Sequence, residues 1–407
     1  MMEAEKTQCL FHILKIRDTG DSSTSQFQFD KVNWQEIFAF AVHHNVEPLV
    51  YFHLKEKGIE KALPSDVCQQ LRESYYQNSA RNLRLYHELS QILERLNESH
   101  LPVIVLKGAF LAVYVYPNPA LRTMTDLDIL MRPGDIPTAL EVLKVLGYTP
   151  IIPPWVNSMG FHAVLGAPEC TASLEIHWDL TTPNDHYQIP VDELWARAVS
   201  VEIGSSQVLA LCPEHLILHL CHHAAINHLF AQGLRPLVDI DRAVRRYRDD
   251  LDWEIITSLS SAWGLQKAVS LTMLVCQQYL DTPVPESVFE NLECAKIDPE
   301  ILQDTLMQIS SGPEVIEPPP TGLFKVQAEK RMIRKVMLFL QYVFLLPQPP
   351  YQLPDERPKL LTGYYVFRRL MYLMGQHSGS LWKLVRNRQD GARYPNRKWM
   401  LLRWLQE

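Results

Sequence analysis

The sequence predicts an α+β protein in which a small mixed sheet lies between two mostly helical regions. Before residue 100 and after residue 212, long stretches with few Gly or Pro residues repeat apolar side chains at helical spacing. Between them, short apolar runs end at a glycine or alternate with polar residues, as buried and half-buried strands do. With 407 residues, 47% of them hydrophobic, the chain is long enough for two or three domains.

A long helix is predicted over residues 69–99, which contain no Gly or Pro. Most of its buried stripe is predicted to consist of the apolar residues Leu83, Leu85, Leu89, Ile92, Leu93 and Leu96. The continuous apolar run 103–106 ends just before Lys107 and Gly108, and it predicts a buried strand. Residues 109–116 are predicted to form a helix after it.

A second strand is predicted over residues 126–131. Its two aspartates, Asp126 and Asp128, share one face because side chains alternate along a strand. Burying two carboxylates on one side of a strand is costly unless a positive charge lies between them.

After this strand, residues 134–148 predict a helix that begins near Asp135.

Two further strands are predicted over residues 161–167 and 172–180, and a hairpin between them stays open as an interpretation. Pro-rich linkers are predicted at 312–322 and 346–358. The chain therefore divides into four predicted regions: a helical region 1–100, a sheet-containing palm 101–205, a helical domain 206–311 packed on it, and a basic helical region 323–407.

Charge gives no sign of nucleic-acid binding, because the net charge is −7. Residues 356–407, however, hold eleven Lys or Arg against three Asp or Glu. This is either a solvated basic face or a surface for phosphate, an anionic membrane or an acidic partner.

Seven scattered cysteines without a CxxC pair indicate free thiols in a reducing compartment. The first residues lack a signal-peptide pattern, and the longest apolar run, 336–346, is too short to cross a bilayer. We therefore expect a cytoplasmic protein.

The carboxylates suggest the chemistry. Residues i and i+2 on a strand lie about 7 Å apart at Cα and point the same way, which suits a pair of hard divalent cations. Two Mg²⁺ ions can clamp the attacking and leaving oxygens of a phosphoryl transfer. Glu175, isolated in "LEIHW", is the candidate for a third carboxylate. The alternative interpretation is an exposed strand face without a metal.

The segment "VIVLKGAFLAVYVYPNPALRTMTDLDILM" followed by "LEIHWDL" resembles nucleotidyltransferases with the DNA polymerase β-type palm. More narrowly, it resembles a large bacterial nucleotidyltransferase family that reads L-K-G, then R-x-x-x-D-[IL]-D, then E-[IVL]-H-W. The resemblance covers about 75 residues well. It implies a polymerase β-like palm embedded between the helical regions.

The resemblance also implies roles for single residues. Asp126 and Asp128 would ligate Mg²⁺, with Glu175 as the third catalytic and metal-binding carboxylate. Gly108 would lie where the backbone approaches the nucleotide phosphates. The usual Gly-Ser is Gly-Ala here, so Lys107 or Arg122 would supply the phosphate contact.

Structural interpretations of both cations stay open beside these roles. Lys107 would be a strand-end lysine, and Arg122 would form a salt bridge with Asp126.

Five histidines follow in "EHLILHLCHHAAINH", and four of them broadly share a helical face: His215, His219, His222 and His223. His215 and His219 have two-ligand zinc spacing, but no third ligand is evident and H-E-x-x-H is absent. His223, which recurs in the family, and His177 are candidates for substrate contact. Buried histidines bonded to carbonyl oxygens are the alternative.

These observations favour a Mg²⁺-dependent nucleotidyltransferase that moves a nucleoside monophosphate from an NTP to an acceptor and releases pyrophosphate. The acceptor can be a small molecule, a sugar, a peptide or a protein. Two alternatives remain: a non-catalytic nucleotide- or protein-binding module on the same palm, supported by the Gly-Ala turn, and a protein AMPylase of a toxin–antitoxin-like pair.

Overall fold

The structure is a computed structural model that describes residues 3–15, 32–151, 161–167, 172–181, 187–292, 297–313 and 400–405. Its longer α-helices are α1 Glu3–Leu14, α2 Trp34–His43, α3 Glu47–Glu56, α4 Ser65–Glu98, α5 Lys107–Tyr114, α6 Ile136–Val145, α7 Val191–Ala196, α8 Pro213–His222, α9 Arg235–Arg246, α10 Trp253–Ala262, α11 Gln266–Leu280, α12 Glu286–Asn291 and α13 Pro299–Ser311. The predicted α+β class is confirmed.

A mixed sheet forms the centre of the fold. Its strands are β1 Ile104–Val105, β2 Asp126–Leu130, β3 Thr149–Pro150, β4 His162–Gly166, β5 Ser173–His177, β6 Val199–Ile203 and β7 Ser206–Ala210. They lie in the order β3-β4-β5-β2-β1-β7-β6. The β2–β5 and β1–β7 pairs are parallel, and the other pairs are antiparallel. The open question of a hairpin between β4 and β5 is therefore answered by an antiparallel pair.

Helix α4 supports the loop that leads into β2. On its buried face, Asn78 donates to the carbonyl oxygen of Ala120 at 2.7 Å, and Asn82 donates to that of Arg122 at 2.8 Å. Five of the six predicted stripe residues are buried, but the inclusion of Leu83 was wrong, because its side chain is 74% exposed. At about 100° per residue, it lies nearly opposite the face that the other five share.

Three strands were not predicted, the two-residue β3 and the pair β6 and β7. Strands β6 and β7 form a hairpin around Gly204, whose φ of 62° lies in the left-handed region. Strand β7 then pairs parallel with β1, so the sheet continues to Ala210, beyond the predicted palm boundary at residue 205. The division into four regions stays a prediction.

Several predictions fall wholly or mostly outside the described residues. These are the linkers at 312–322 and 346–358, the apolar run 336–346 and most of the basic region 323–407. Among the described cysteines, Cys9, Cys68, Cys212, Cys221 and Cys276 are free thiols. Within the described ranges, no helix combines the length and apolar character that a membrane span requires.

Candidate active site

The register of β2 and β5 brings the predicted carboxylates together. Asp128 is the partner of Glu175 in this parallel pair, and Asp126 lies two residues earlier on β2. Because side chains alternate along each strand, Asp126, Asp128, Glu175 and His177 all belong to one face of the sheet. The opposite face carries the buried core residues Leu127, Ile129, Leu174 and Ile176. The strand alternation predicted from the sequence is confirmed.

A lysine and a histidine contact the carboxylates of this face. Lys107 donates from Nζ to Asp128 Oδ1 at 2.7 Å. His177 Nε2 lies 3.0 Å from the same oxygen and 3.4 Å from Glu175 Oε2. The side chain of Asp128 is only 2% exposed, so these contacts replace the water that a carboxylate otherwise needs. Lys107 thus provides the positive charge that the buried aspartates require, and His177 adds a hydrogen-bonding partner.

The contacts move the pKa values of the cluster apart. Burial alone would raise the pKa of Asp128, but Lys107 and His177 outweigh it and hold that pKa well below its ordinary value. Burial, followed by the charge of Asp128, raises the pKa of Asp126. For His177, burial works toward a lower pKa, but the hydrogen bonds with Asp128 and Glu175 raise it overall. Adjacent carboxyl groups with opposite shifts are typical of functional sites.

Three side chains form a candidate metal site. One ligand atom each from Asp128, Glu175 and His177 lies within 4.8 Å of the others. Two carboxylates suit Mg²⁺ or Mn²⁺, and the imidazole suits first-row transition ions as well. Asp126 is outside this group but lies on the same face of β2. The sequence assigned His177 to substrate contact, whereas the structure brings it to the carboxylates.

Arg122 has a different partner from the one considered in the sequence. Its Nε and Nη2 donate to the two carboxylate oxygens of Asp239, at 3.2 and 2.9 Å. Tyr116 donates its hydroxyl to Asp239 Oδ1 at 2.7 Å. The salt bridge to Asp126 was therefore the wrong pairing, because Asp239 on α9 forms the bidentate pair with the guanidinium.

The position of the Arg122 side chain explains why residue 108 is a glycine. A Cβ at this position would collide with the Nη1 atom of Arg122, which Asp239 holds in place. Gly108 lies in the first turn of α5 and is buried. The glycine therefore has a packing reason within the chain itself, besides the phosphate approach that the resemblance implied.

The histidines of α8 lie beside the carboxylate face. His219 is 3% exposed, and neither ring nitrogen has a hydrogen-bond partner. Burial, followed by the charge of Lys107, lowers the pKa of His219 and of His223. The rings of His223 and His228 lie 4.5 Å apart, and a contact of His223 with substrate stays a prediction. No zinc group forms around His215 and His219 among the described residues.

Arg235 was not among the candidate residues predicted from the sequence. It is the first residue of α9, and its Nη1 donates to the carbonyl oxygen of Thr123 at 3.4 Å. Arg122 Nη1 donates to the same oxygen at 3.1 Å. The two guanidinium groups are therefore neighbours. Thr123, whose carbonyl oxygen they share, lies three residues before Asp126, the first carboxylate of β2.

Comparison with known proteins finds a match to a family model and similarity to solved structures. A family model described as "Uncharacterised nucleotidyltransferase" matches residues 30–281, which is more than half of the chain. No curated protein sequence matches. The solution structure of the antibiotic-resistance factor ANT(2'')-Ia has a TM-score of 0.34 at 15% identity and covers 45% of this chain and 93% of its own. The crystal structure of ANT(2'')-Ia with adenylyl-2''-tobramycin has a TM-score of 0.32 at 15% identity and covers 44% of this chain and 96% of its own.

Proposed function

The chain belongs to this family of nucleotidyltransferases, and we propose that it moves a nucleoside monophosphate from an NTP to a hydroxyl acceptor, with Mg²⁺ as cofactor and pyrophosphate as the second product. The observation that supports this best is the register of β2 and β5. It aligns Asp128 with Glu175 and leaves Asp126 on the same face, so three carboxylates converge where the triphosphate and the acceptor would meet.

Asp126, Asp128 and Glu175 would hold one or two Mg²⁺ ions, with His177 as a further ligand. When bound, the ions neutralise charge on the triphosphate and orient its reacting phosphorus. Without these ions, the ammonium group of Lys107 donates to Asp128 Oδ1. A cation at that oxygen would release the ammonium group of Lys107, which is then free to bind a phosphate oxygen.

Glu175 is the candidate base for the acceptor. Burial works toward a higher pKa, but its hydrogen bond with His177 lowers the pKa overall, so the carboxylate is ionised at neutral pH. The acceptor oxygen attacks the α-phosphorus, forming the new P–O bond as the bond between the α- and β-phosphates breaks. The acceptor proton passes to Glu175, and pyrophosphate leaves with the electron pair of the broken bond.

The test is transfer of label from α-³²P NTPs to acceptor mixtures, with small molecules, sugars, peptides and proteins in separate arms. Asp126→Asn and Asp128→Asn should each reduce transfer at least about a hundredfold, because each removes a charge that the site needs for the cation. Glu141→Gln, on the exposed side of α6, is the matched control and should keep wild-type transfer. Wild-type rates in both Asn variants, with folding verified by circular dichroism, would refute the proposal.

A further inference from the structure

We propose that Arg235, and not Arg122, is the arginine that binds the triphosphate of the nucleotide. This inference rests on the proposed function, since it assigns a binding residue to the same site. It reverses the assignment made from the sequence, where Arg122 was a candidate for the phosphate contact. The reason is that the two neighbouring guanidinium groups differ in how completely they are bonded.

Arg122 already uses three of its five N–H groups within the fold. Two of its nitrogens hold the two oxygens of Asp239, and the third donates to the carbonyl oxygen of Thr123. The residue is 7% exposed, and Gly108 lies directly against its Nη1 atom. A bidentate, buried pair of this kind is costly to break, because the remaining carboxylate would stay buried without a partner. Arg122 is therefore bound within the fold.

Arg235 has donors to spare. Its side chain forms one hydrogen bond within the described part of the chain, at 3.4 Å, to an oxygen that Arg122 already uses at 3.1 Å. Among the described residues it forms no ion pair, and its side chain is half-buried, not fully buried. Two adjacent positive charges thus lie beside Asp239, and Arg122 holds both of its oxygens. A second anion beside Arg235 would balance the pair.

The electrostatics agree with this geometry. Burial, followed by the charge of Arg122, lowers the pKa of Arg235, and Asp239 and Asp126 offset this only in part. The charge of Arg235 works toward a lower pKa of Glu47, but burial outweighs it and raises that pKa to about 7. A carboxyl group that is only partly ionised at neutral pH does not cancel the arginine.

The position of Arg235 suits a phosphate chain that begins at the carboxylates. Thr123, to which it donates, precedes Asp126 by three residues, so it lies within about 10 Å of it along the chain. Among the groups that lower the pKa of Asp126, against burial and the charge of Asp128, is Arg235 itself. Arginine presents a planar fork that matches two phosphate oxygens. The β- and γ-phosphates are the part of an NTP that extends away from the reacting phosphorus.

The experiment uses tripolyphosphate with Mg²⁺ as the probe, because it contains the phosphate chain without a base. Isothermal titration calorimetry on the full chain should give a dissociation constant at least tenfold weaker for Arg235→Met than for wild type. Arg235→Lys should recover part of the loss, since it keeps the charge but not the fork. Arg84→Met, at an exposed position of α4, is the matched control and should bind as wild type does.

Thermal melting without ligand separates binding from structure. Arg235→Met should melt at or above the wild-type temperature, whereas Arg122→Met should melt well below it. Unchanged tripolyphosphate affinity in Arg235→Met, failure of that variant to fold, or failure of wild type to bind the probe would each overturn the inference. Probe binding requires no transfer, so a protein that binds through Arg235 but transfers nothing would refute the proposed function and leave this inference standing.

Discussion

Lys107 is the residue on which the neutrality of the carboxylate face depends in the absence of metal. Its ammonium group lies 2.7 Å from Asp128 Oδ1, and its side chain is only 14% exposed. Burial works against its charge, but Asp128, Glu175 and Asp126 together raise the pKa of Lys107. Its backbone also adopts a φ of 39°, in the left-handed region that non-glycine residues rarely enter. The chain accepts this conformation where the side chain meets the carboxylates.

Lys107→Met should therefore destabilise the metal-free protein. Removing one partner of a buried ion pair typically costs about 3–5 kcal/mol, because Asp128 then stays charged beside Asp126 and Glu175. A divalent cation binds only the native site and should restore most of the loss by mass action. The measurement is the melting temperature in EDTA and in excess Mg²⁺ or Mn²⁺.

Lys144→Met serves as the control for Lys107→Met, because Lys144 has a 67% exposed side chain on α6 and only a distant partner, Glu141, at 4.0 Å. It should melt as wild type does in both conditions. A melting temperature of Lys107→Met that equals wild type in EDTA would show that Lys107 does not neutralise the site.

The residue-level predictions succeeded where strand alternation alone decides. A D-x-D pattern and an E-x-H pattern on strands must each present both side chains to one face. The family resemblance that these motifs provided is confirmed by the family model. The partner of Arg122 could not be predicted in this way, because Asp239 lies 117 residues later on a different helix. Only the packing of α9 against the loop before β2 brings them together.

At the scale of elements, the contact between α5 and the loop before β2 explains why position 108 holds a glycine. Gly108 has room for a hydrogen atom only, since the guanidinium of Arg122 and the side chain of Met124 lie against it. An arginine tip can usually move aside, but this one is held by both oxygens of Asp239. The position of α5 on the sheet is therefore coupled to the Arg122–Asp239 pair.

Gly108→Ala should lower the free energy of unfolding by about 1–3 kcal/mol, the usual cost of overpacking a filled site. In an Arg122→Met background the added methyl group meets a flexible side chain, so the same change should cost less than about 1 kcal/mol. Chemical denaturation of the two single variants and the double variant gives the coupling free energy directly.

Gly134→Ala is the control for this cycle, because nothing lies within 4 Å of a Cβ at that position. It should change stability little in either background. Equal costs for Gly108→Ala with and without Arg122 would contradict the coupling.

Two element-level errors have physical causes that a sequence can reveal. The β6–β7 hairpin is short and lies at the sheet edge, with most of β6 exposed, so its hydrophobic pattern is weak. The turn at Gly204 was its available signal. Leu83 was assigned to the buried face of α4 because it is apolar, although its angular position excludes it. The buried polar residues Asn78 and Asn82 occupy that face instead.

At the scale of the whole molecule, buried neutral histidines link the helices to each other. His44, after α2, is 0% exposed and accepts a hydrogen bond at Nδ1 from the backbone N–H of Leu234, at 3.3 Å. His53, on α3, accepts a hydrogen bond at Nε2 from Arg242 of α9 at 2.5 Å. A proton on either accepting nitrogen would break a contact between the N-terminal helices and the later part of the chain.

This arrangement predicts a loss of stability in mild acid. Burial is the main cause that lowers the pKa of His44 and of His53 to about 3, against about 6.5 in an unfolded chain. Well above pH 6.5 both histidines are unprotonated in the folded and in the unfolded state, so they do not change how the free energy of unfolding depends on pH. As the pH falls below 6.5 only the unfolded state takes up protons, and the free energy of unfolding should fall by about 2 kcal/mol per histidine by pH 5.

In His44→Asn/His53→Gln the amide oxygens can replace the accepting nitrogens without titrating, so urea denaturation at pH 7 and pH 5 should show a smaller loss than in wild type. His87→Gln, at an exposed position of α4, should lose as much as wild type does, and an equally large loss in the double variant would show that the acid sensitivity arises elsewhere.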